Sequence, residues 1–174
     1  MNSLVVMLHI LRLRAGPQDL PADDGTLVFW TGLALVTGMA IGTPLYGFGP
    51  ALTLNVVDLL VLYAFVALAL HLRGHPERWR QTFVAMAGTG ALLGLLMALL
   101  MLLAGGADPG REPEDVATGA VLGLLALLAW LLLVFGQILQ QALALGSRLP
   151  GMLLALGYVV ISSAVTQAAL GLLQ

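Results

Sequence analysis

Hydrophobic residues in this chain come in long unbroken runs, not in the alternation of a strand or the one-sided stripe of a soluble helix. Five runs stand out: Leu27–Thr43, Leu52–Leu72, Phe83–Ala104, Val116–Leu139 and Leu149–Leu173. Each is close to the roughly 20 apolar residues that cross a hydrocarbon layer of about 30 Å at 1.5 Å per residue. None contains Lys, Arg or Glu, and one Asp, Asp58, interrupts the second. Helix breakers fall between the runs. Pro44, Gly47, Gly49 and Pro50 separate the first two, Gly74 and Pro76 the next pair, Gly105–Gly110 the third from the fourth, and Gly146 with Pro150 the last two. The fourth helix is expected to continue toward Leu145. The pattern predicts an all-α membrane protein, a bundle of about five transmembrane helices over residues 26–174.

Residues 1–25 form a separate leading segment. Asn2–Arg14 is too short to span, is apolar at Leu4, Val5, Leu8 and Leu11, and ends in Arg12 and Arg14. It reads as a short amphipathic helix lying at the membrane interface, the alternative being an ordered arm packed on the bundle. No basic residue precedes its apolar stretch and arginines follow it, so it is not expected to be a cleaved signal peptide. Gly16-Pro17 ends it, and Gln18–Gly25 reads as a polar linker in which Asp23 or Asp24 caps the first span.

Charge adds an orientation. With five spans, one side of the membrane receives Arg12, Arg14, Arg73, Arg78, Arg80 and Arg148, and the other receives Arg111 alone. Six arginines against one is a positive-inside bias, which predicts the N-terminus on the cytoplasmic side and the C-terminus outside. The acids Asp108, Glu112, Glu114 and Asp115 collect on the outer side.

Composition agrees with this picture and excludes several classes. Of 174 residues, 60% are hydrophobic and 9% charged, with a mean hydropathy of +1.00; soluble domains carry roughly 25% charged residues. A net charge of −2, with no lysine and no basic run interleaved with aromatics, speaks against nucleic acid as a partner. The lack of cysteine removes disulfides, thiolate metal sites and cysteine nucleophiles. No nucleophile elbow, zinc-protease, Walker or dinucleotide motif occurs, so neither an enzyme nor a cofactor is expected.

Three segments carry a family resemblance. They are Leu11-Arg12-Leu13-Arg14-Ala15-Gly16-Pro17-Gln18-Asp19-Leu20-Pro21, Arg80-Gln81-Thr82-Phe83-Val84-Ala85-Met86-Ala87-Gly88-Thr89, and Trp130-Leu131-Leu132-Leu133-Val134-Phe135-Gly136-Gln137-Ile138-Leu139. They resemble small proteobacterial inner-membrane proteins distantly similar to the YIP1 family. That resemblance implies a five-helix bundle with a cytoplasmic N-terminus. Eukaryotic members carry an Asp-Leu-Tyr-Gly-Pro-type motif, of which Leu45-Tyr46-Gly47-Phe48-Gly49-Pro50 keeps only an echo, so their role with trafficking GTPases does not transfer.

Two polar groups remain as candidate sites. Asp58 lies about six residues into the second span, roughly 10 Å deep, and a carboxyl group there needs partners inside the bundle. Asn55 precedes it by one turn, and Ser162, Ser163, Thr166 and Gln167 lie at matching depth on the fifth span. These groups are expected to meet, either as polar glue between helices or as an outward-facing polar pocket or a proton- or ion-handling site. Near the cytoplasmic face, Gln137, Gln140 and Gln141 join a rim of Arg73, Arg78, Trp79 and Arg80, which reads as a lipid anchor or as a binding surface for a partner. His71 and His75, at i and i+4, lack further ligands at metal-site spacing. Gly38/Gly42, Gly90/Gly94 and Gly119/Gly123 are small-xxx-small pairs suited to close helix contact.

The leading expectation is a non-enzymatic scaffold or accessory subunit in contact with the bilayer, and with another membrane protein or a second copy of itself. The alternative is a small transporter or channel component using Asp58. The orientation has a direct check. A reporter active only outside the cytoplasm, fused after Gln174, is expected to be active; activity of a cytoplasm-dependent reporter there instead would mean the span count is wrong.

Overall fold

In the computed structural model, which describes residues 2–103 and 118–172, the chain is helical nearly throughout. A short helix α1 (Ser3–Leu11) precedes α2 (Asp24–Tyr46), α3 (Phe48–Leu72), α4 (Trp79–Leu103), α5 (Thr118–Ala142) and α6 (Arg148–Leu172), with 3-10 turns at Pro17–Asp19 and Pro76–Arg78. The last five are each 23 or 25 residues long, apolar, and sufficient to cross a membrane. The loop holding Asp108–Asp115 and Arg111, with Ala104, Val116 and Leu173 of the expected spans, lies outside the described residues.

Several helix ends differ from expectation for a common reason. The first four N–H groups of a helix have no partner inside it, so proline costs nothing in the first turn. Pro50 and Pro150 therefore sit inside the openings of α3 and α6 and do not precede them. Pro44 lies in the last turns of α2, which runs on to Tyr46. Gly47 alone, at φ 80°, makes the α2–α3 turn. α5 stops at Ala142, short of Leu145, because Ala144 takes a left-handed conformation at φ 50° and Leu145 N–H donates back to Gln140 O at 2.9 Å. α1 and α3 close in the same way, through Leu13 (φ 59°) and Gly74 (φ 76°), with Arg14 N–H donating to His9 O and His75 N–H to Leu70 O.

Helix alternation gathers one set of ends at an arginine-bearing face. Arg80 pairs with Asp24 at 2.8 Å, and Arg78 donates to the terminal carbonyl of Ala142 at 3.2 Å. Asp23 caps α2, accepting from the Thr26 N–H and hydroxyl, both at 2.8 Å. Those bonds, the backbone one first, hold its carboxyl below the ordinary range. Around α4 the helices α2, α3, α5 and α1 close completely near this face, so that Thr82–Thr89 are eight consecutive buried residues. Val134–Leu139 of α5 are likewise buried in sequence. A helix buried on every side cannot be one-sided in composition, which is why these stretches carry no polar stripe.

The leading helix is an ordered arm packed on the bundle. Val6, Met7 and Ile10 are fully buried, while Leu4, Val5 and Leu8 on the other side are exposed. Met7 packs beside Trp30 over Gly88, where any side chain would displace it. The Trp130 indole donates to Leu11 O at 3.1 Å. The linker then climbs α5: Gln137 Nε2 donates to Ala15 O, Gln18 bonds Gln141 at 3.2 Å, and Gln81 reaches from α4 to Leu20 O at 2.7 Å. Packing of α1 has a simple measure. Met7→Ala is expected to lower stability in detergent by about 2 kcal/mol through the cavity it leaves, whereas Leu8→Ala shifts the unfolding midpoint little; equal effects would mean that α1 does not pack by this face.

Candidate functional site

Asp58 lies ten residues after Phe48, so about 15 Å along α3 and deeper than its sequence position within the apolar run implies, because α3 begins four residues earlier than that run. Ser162 lies ten residues before Leu172, at the matching level of α6. The two meet: Ser162 Oγ donates to Asp58 Oδ1, and the Tyr158 hydroxyl lies 3.5 Å from the same oxygen. Ser162 is buried and Asp58 half-buried, and the carboxyl group faces α6, away from lipid. Tyr158 stands one turn before Ser162 on the same face and stacks against Phe65 (5.4 Å) and Phe135 (5.9 Å). It is the site residue that sequence reasoning missed; its i, i+4 spacing to Ser162 is the signal that marks it.

Asn55 belongs to the site by a different route. Its Nδ2 donates to Ala51 O at 2.9 Å, one turn back on its own helix. Its Oδ1 fills the space where a side chain on Gly38 of α2 would stand, and a Cβ on Gly42 would lie 3.2 Å from that of Ala51. The Gly38/Gly42 pair thus brings α2 and α3 together, as small-xxx-small spacing implies. Gly94 takes the Thr37 methyl group, whereas Gly90 and Gly119 face open space. The tightest crossing joins Gly136 of α5 to Gly151 of α6, where a Cβ on Gly136 would lie 3.0 Å from Met152 Cα. Neither glycine was singled out in sequence, although Gly151 and the buried Ala155 form a small-xxx-small pair.

Two cavities adjoin at Asp58. The inner one, of about 280 Å3, is lined from all five spans, with Thr37, Asp58, Met86, Phe135, Tyr158 and Ser162 among its walls. The second, of about 390 Å3, lies between α2, α3 and α6 and extends to Tyr46 and Leu170, toward the end of the bundle opposite the arginines. Asn55, Asp58, Ser162 and Ser163 line both, while Thr166 and Gln167 line the outer one only. The expected cluster is therefore assembled as a pocket wall, with only Ser162 in direct contact with the carboxyl group. Among the described residues, no Arg, Lys or His lines either cavity.

The arginine-bearing face holds a third cavity, of about 380 Å3, between Gln18, Arg78, Gln81, Thr82 and Gln141. Most of its polar groups bond within the chain, tying the linker to α4 and α5. Trp79 stacks edge-on with Tyr63 at 5.6 Å and carries the Arg80 guanidinium over its ring. Arg73 is exposed, and Gln140 lies at the Gly151 crossing, away from Gln141's cavity. His71 and His75 are separated by the turn at Gly74, with His75 3.6 Å from Glu77.

No protein-family model matches the chain, and no curated protein or solved structure matches it.

The Gly38–Asn55 contact gives a test by double-mutant cycle. Gly38→Ala is expected to destabilise by about 1–3 kcal/mol through overpacking, and most of that loss is expected to vanish in an Asn55→Ala background. Additive effects would mean that the two residues do not touch.

Proposed function

We propose that this multi-pass membrane protein admits a small solute from the far side of the membrane into the polar pocket around Asp58, as a small transporter or a component of one, without enzymatic chemistry. The observation that carries this reading is a pair of adjoining cavities that share Asn55, Asp58, Ser162 and Ser163 as walls: one reaches toward the far end of the bundle between α2, α3 and α6, and the other is lined from every span. Helix glue alone accounts for the Ser162–Asp58 bond but not for open volume on both sides of it. Near the arginine-bearing face the bundle is closed by the buried stretches of α4 and α5. A bacterial inner membrane, a cytoplasmic N-terminus and kinship with YIP1-like proteins fit the arginine clustering and the five-helix bundle, and complete the proposal.

A second reading has its own support. Between the far halves of α4 and α5 runs an apolar groove of about 280 Å3, lined by Gly90, Leu93, Gly94, Met97, Leu124 and Leu128 among others. Such a groove suits a partner helix or a lipid chain, as an accessory subunit or scaffold requires.

Absence of cysteine makes the pocket testable on a clean background. Ser163→Cys is expected to react with a membrane-impermeant maleimide added from the far side, and Val160→Cys, on an exposed part of α6, to stay unlabelled in lipid. Light-scattering assays of solute entry into proteoliposomes are expected to show faster entry than in empty vesicles, abolished by Asp58→Asn. An unreactive Ser163→Cys, or background entry in both proteins, would leave the scaffold reading.

A further inference from the structure

We infer that the inner chamber is a binding site for a small organic ammonium ion, whose charge is met by Asp58 and whose apolar body lies against the hydrocarbon walls of the bundle. This rests on the pocket reading above and specifies its ligand. The first ground is charge. Among the described residues, Asp58 is the one acidic residue of the lining, and no Arg, Lys or His of the lining opposes it. In a membrane interior a carboxylate draws a compensating positive charge.

The second ground is independent of Asp58. Thr37, on α2, lines the same chamber and is 2% exposed. Its methyl group is turned to Gly94 on α4, and its hydroxyl has no hydrogen-bond partner among the described residues. A buried hydroxyl without a partner costs about 1–3 kcal/mol, and a ligand N–H donated to its oxygen offsets that cost once the side chain turns toward the chamber. An alkylammonium group has several such donors. Asp58 offers it a charged acceptor, and Thr37, so turned, a second one from another helix.

The walls decide between an inorganic and an organic cation. Among the described residues no group of three acidic or imidazole side chains stands ready to hold a metal ion. Leu59, Leu62, Met86 and Leu131 are among its apolar walls, and a bare or hydrated ion would leave them unserved. Phe135 and Tyr158 add aromatic rings beside the carboxylate, which favour an ammonium ion through cation–π attraction. A chamber of about 280 Å3, at the lower edge of the roughly 300–1,000 Å3 typical of pockets for drug-sized ligands, takes a molecule the size of a simple arylalkylamine.

Calorimetric titration of the full-length protein in detergent tests this, with benzylammonium, its uncharged analogue benzyl alcohol, and sodium chloride as probes. Saturable binding of benzylammonium is expected, at least tenfold tighter than of benzyl alcohol. Asp58→Asn is expected to weaken it tenfold or more, and Thr37→Val several-fold, with Thr37→Ser restoring it. Equal binding of the alcohol, binding indifferent to both substitutions, or a response to sodium alone would overturn the inference. Should Asp58→Asn not fold, the Thr37 pair and the alcohol comparison on the unaltered protein still decide. Labelling of Ser163→Cys without benzylammonium binding would sink the ligand assignment and leave the pocket standing, whereas an unreactive cysteine would remove both.

Discussion

The architecture depends on enclosing one half of α4. Over two turns, from Thr82 to Thr89, this helix has no free side. In lipid the hydrophobic effect does little to hold helices together, so such enclosure relies on close fit and van der Waals contact. Small residues make the fit attainable: Ala85, Ala87 and Gly88 let neighbours approach, and Met7 with Trp30 fills the space that Gly88 leaves. The three flanks supplied by α2, α3 and α5 are not enough; the fourth comes from α1. A nine-residue helix too short to cross the membrane thus completes the packing of one that does, and the glutamines that fasten its linker to α4 and α5 serve the same end.

Enclosure at one end has its counterpart in looseness at the other. Beyond Ala91 the residues of α4 are half-buried or exposed; the α4–α5 groove lies against this half, and the central chamber reaches from Met86 and Ala87 up to Gly94, with Gly90 and Gly94 in the walls of both. Asp58 sits where close packing gives way to open volume. There its carboxyl group reaches Ser162 and Tyr158 and still borders a cavity. A fully packed site would have held the carboxyl group as a structural bond alone.

Much of this was legible in sequence, and the gaps have identifiable causes. Unbroken apolar runs locate five spans because each must satisfy its backbone internally while facing lipid. Matching depth pairs Asp58 with Ser162, since helical rise is constant. Prolines mislead at helix openings, where the missing N–H has no partner to lose: Pro50 and Pro150 read as breaks and are first-turn residues. Thr37 passes unnoticed within an apolar run because nothing local distinguishes a threonine facing a chamber from one bonded to its own helix. The Gly136–Gly151 crossing is split between two helices, so neither segment alone carries the signal. The role of Gln137 and Gln141 in fastening the linker arises from a contact across more than 120 residues of chain.

That crossing has a mechanical consequence. Gly136 and Gly151 let α5 and α6 touch backbone to backbone near the arginine-bearing end, beside the side chains of Met152 and Gln140, and Tyr158 packs on Phe135 two turns further along α6. Gly151 lies 21 residues from Leu172, so α6 extends about 30 Å beyond the contact. It is a lever with its fulcrum at one end. A tilt of about 5° there carries the tip by roughly 3 Å, about the width of a water molecule, given a 1.5 Å rise per residue. Ser162, about half as far along, moves half as much. The mouth of the outer cavity widens or narrows with such a tilt, and because a shift of about 1.5 Å takes a hydrogen bond out of its range, the Ser162–Asp58 bond opposes it.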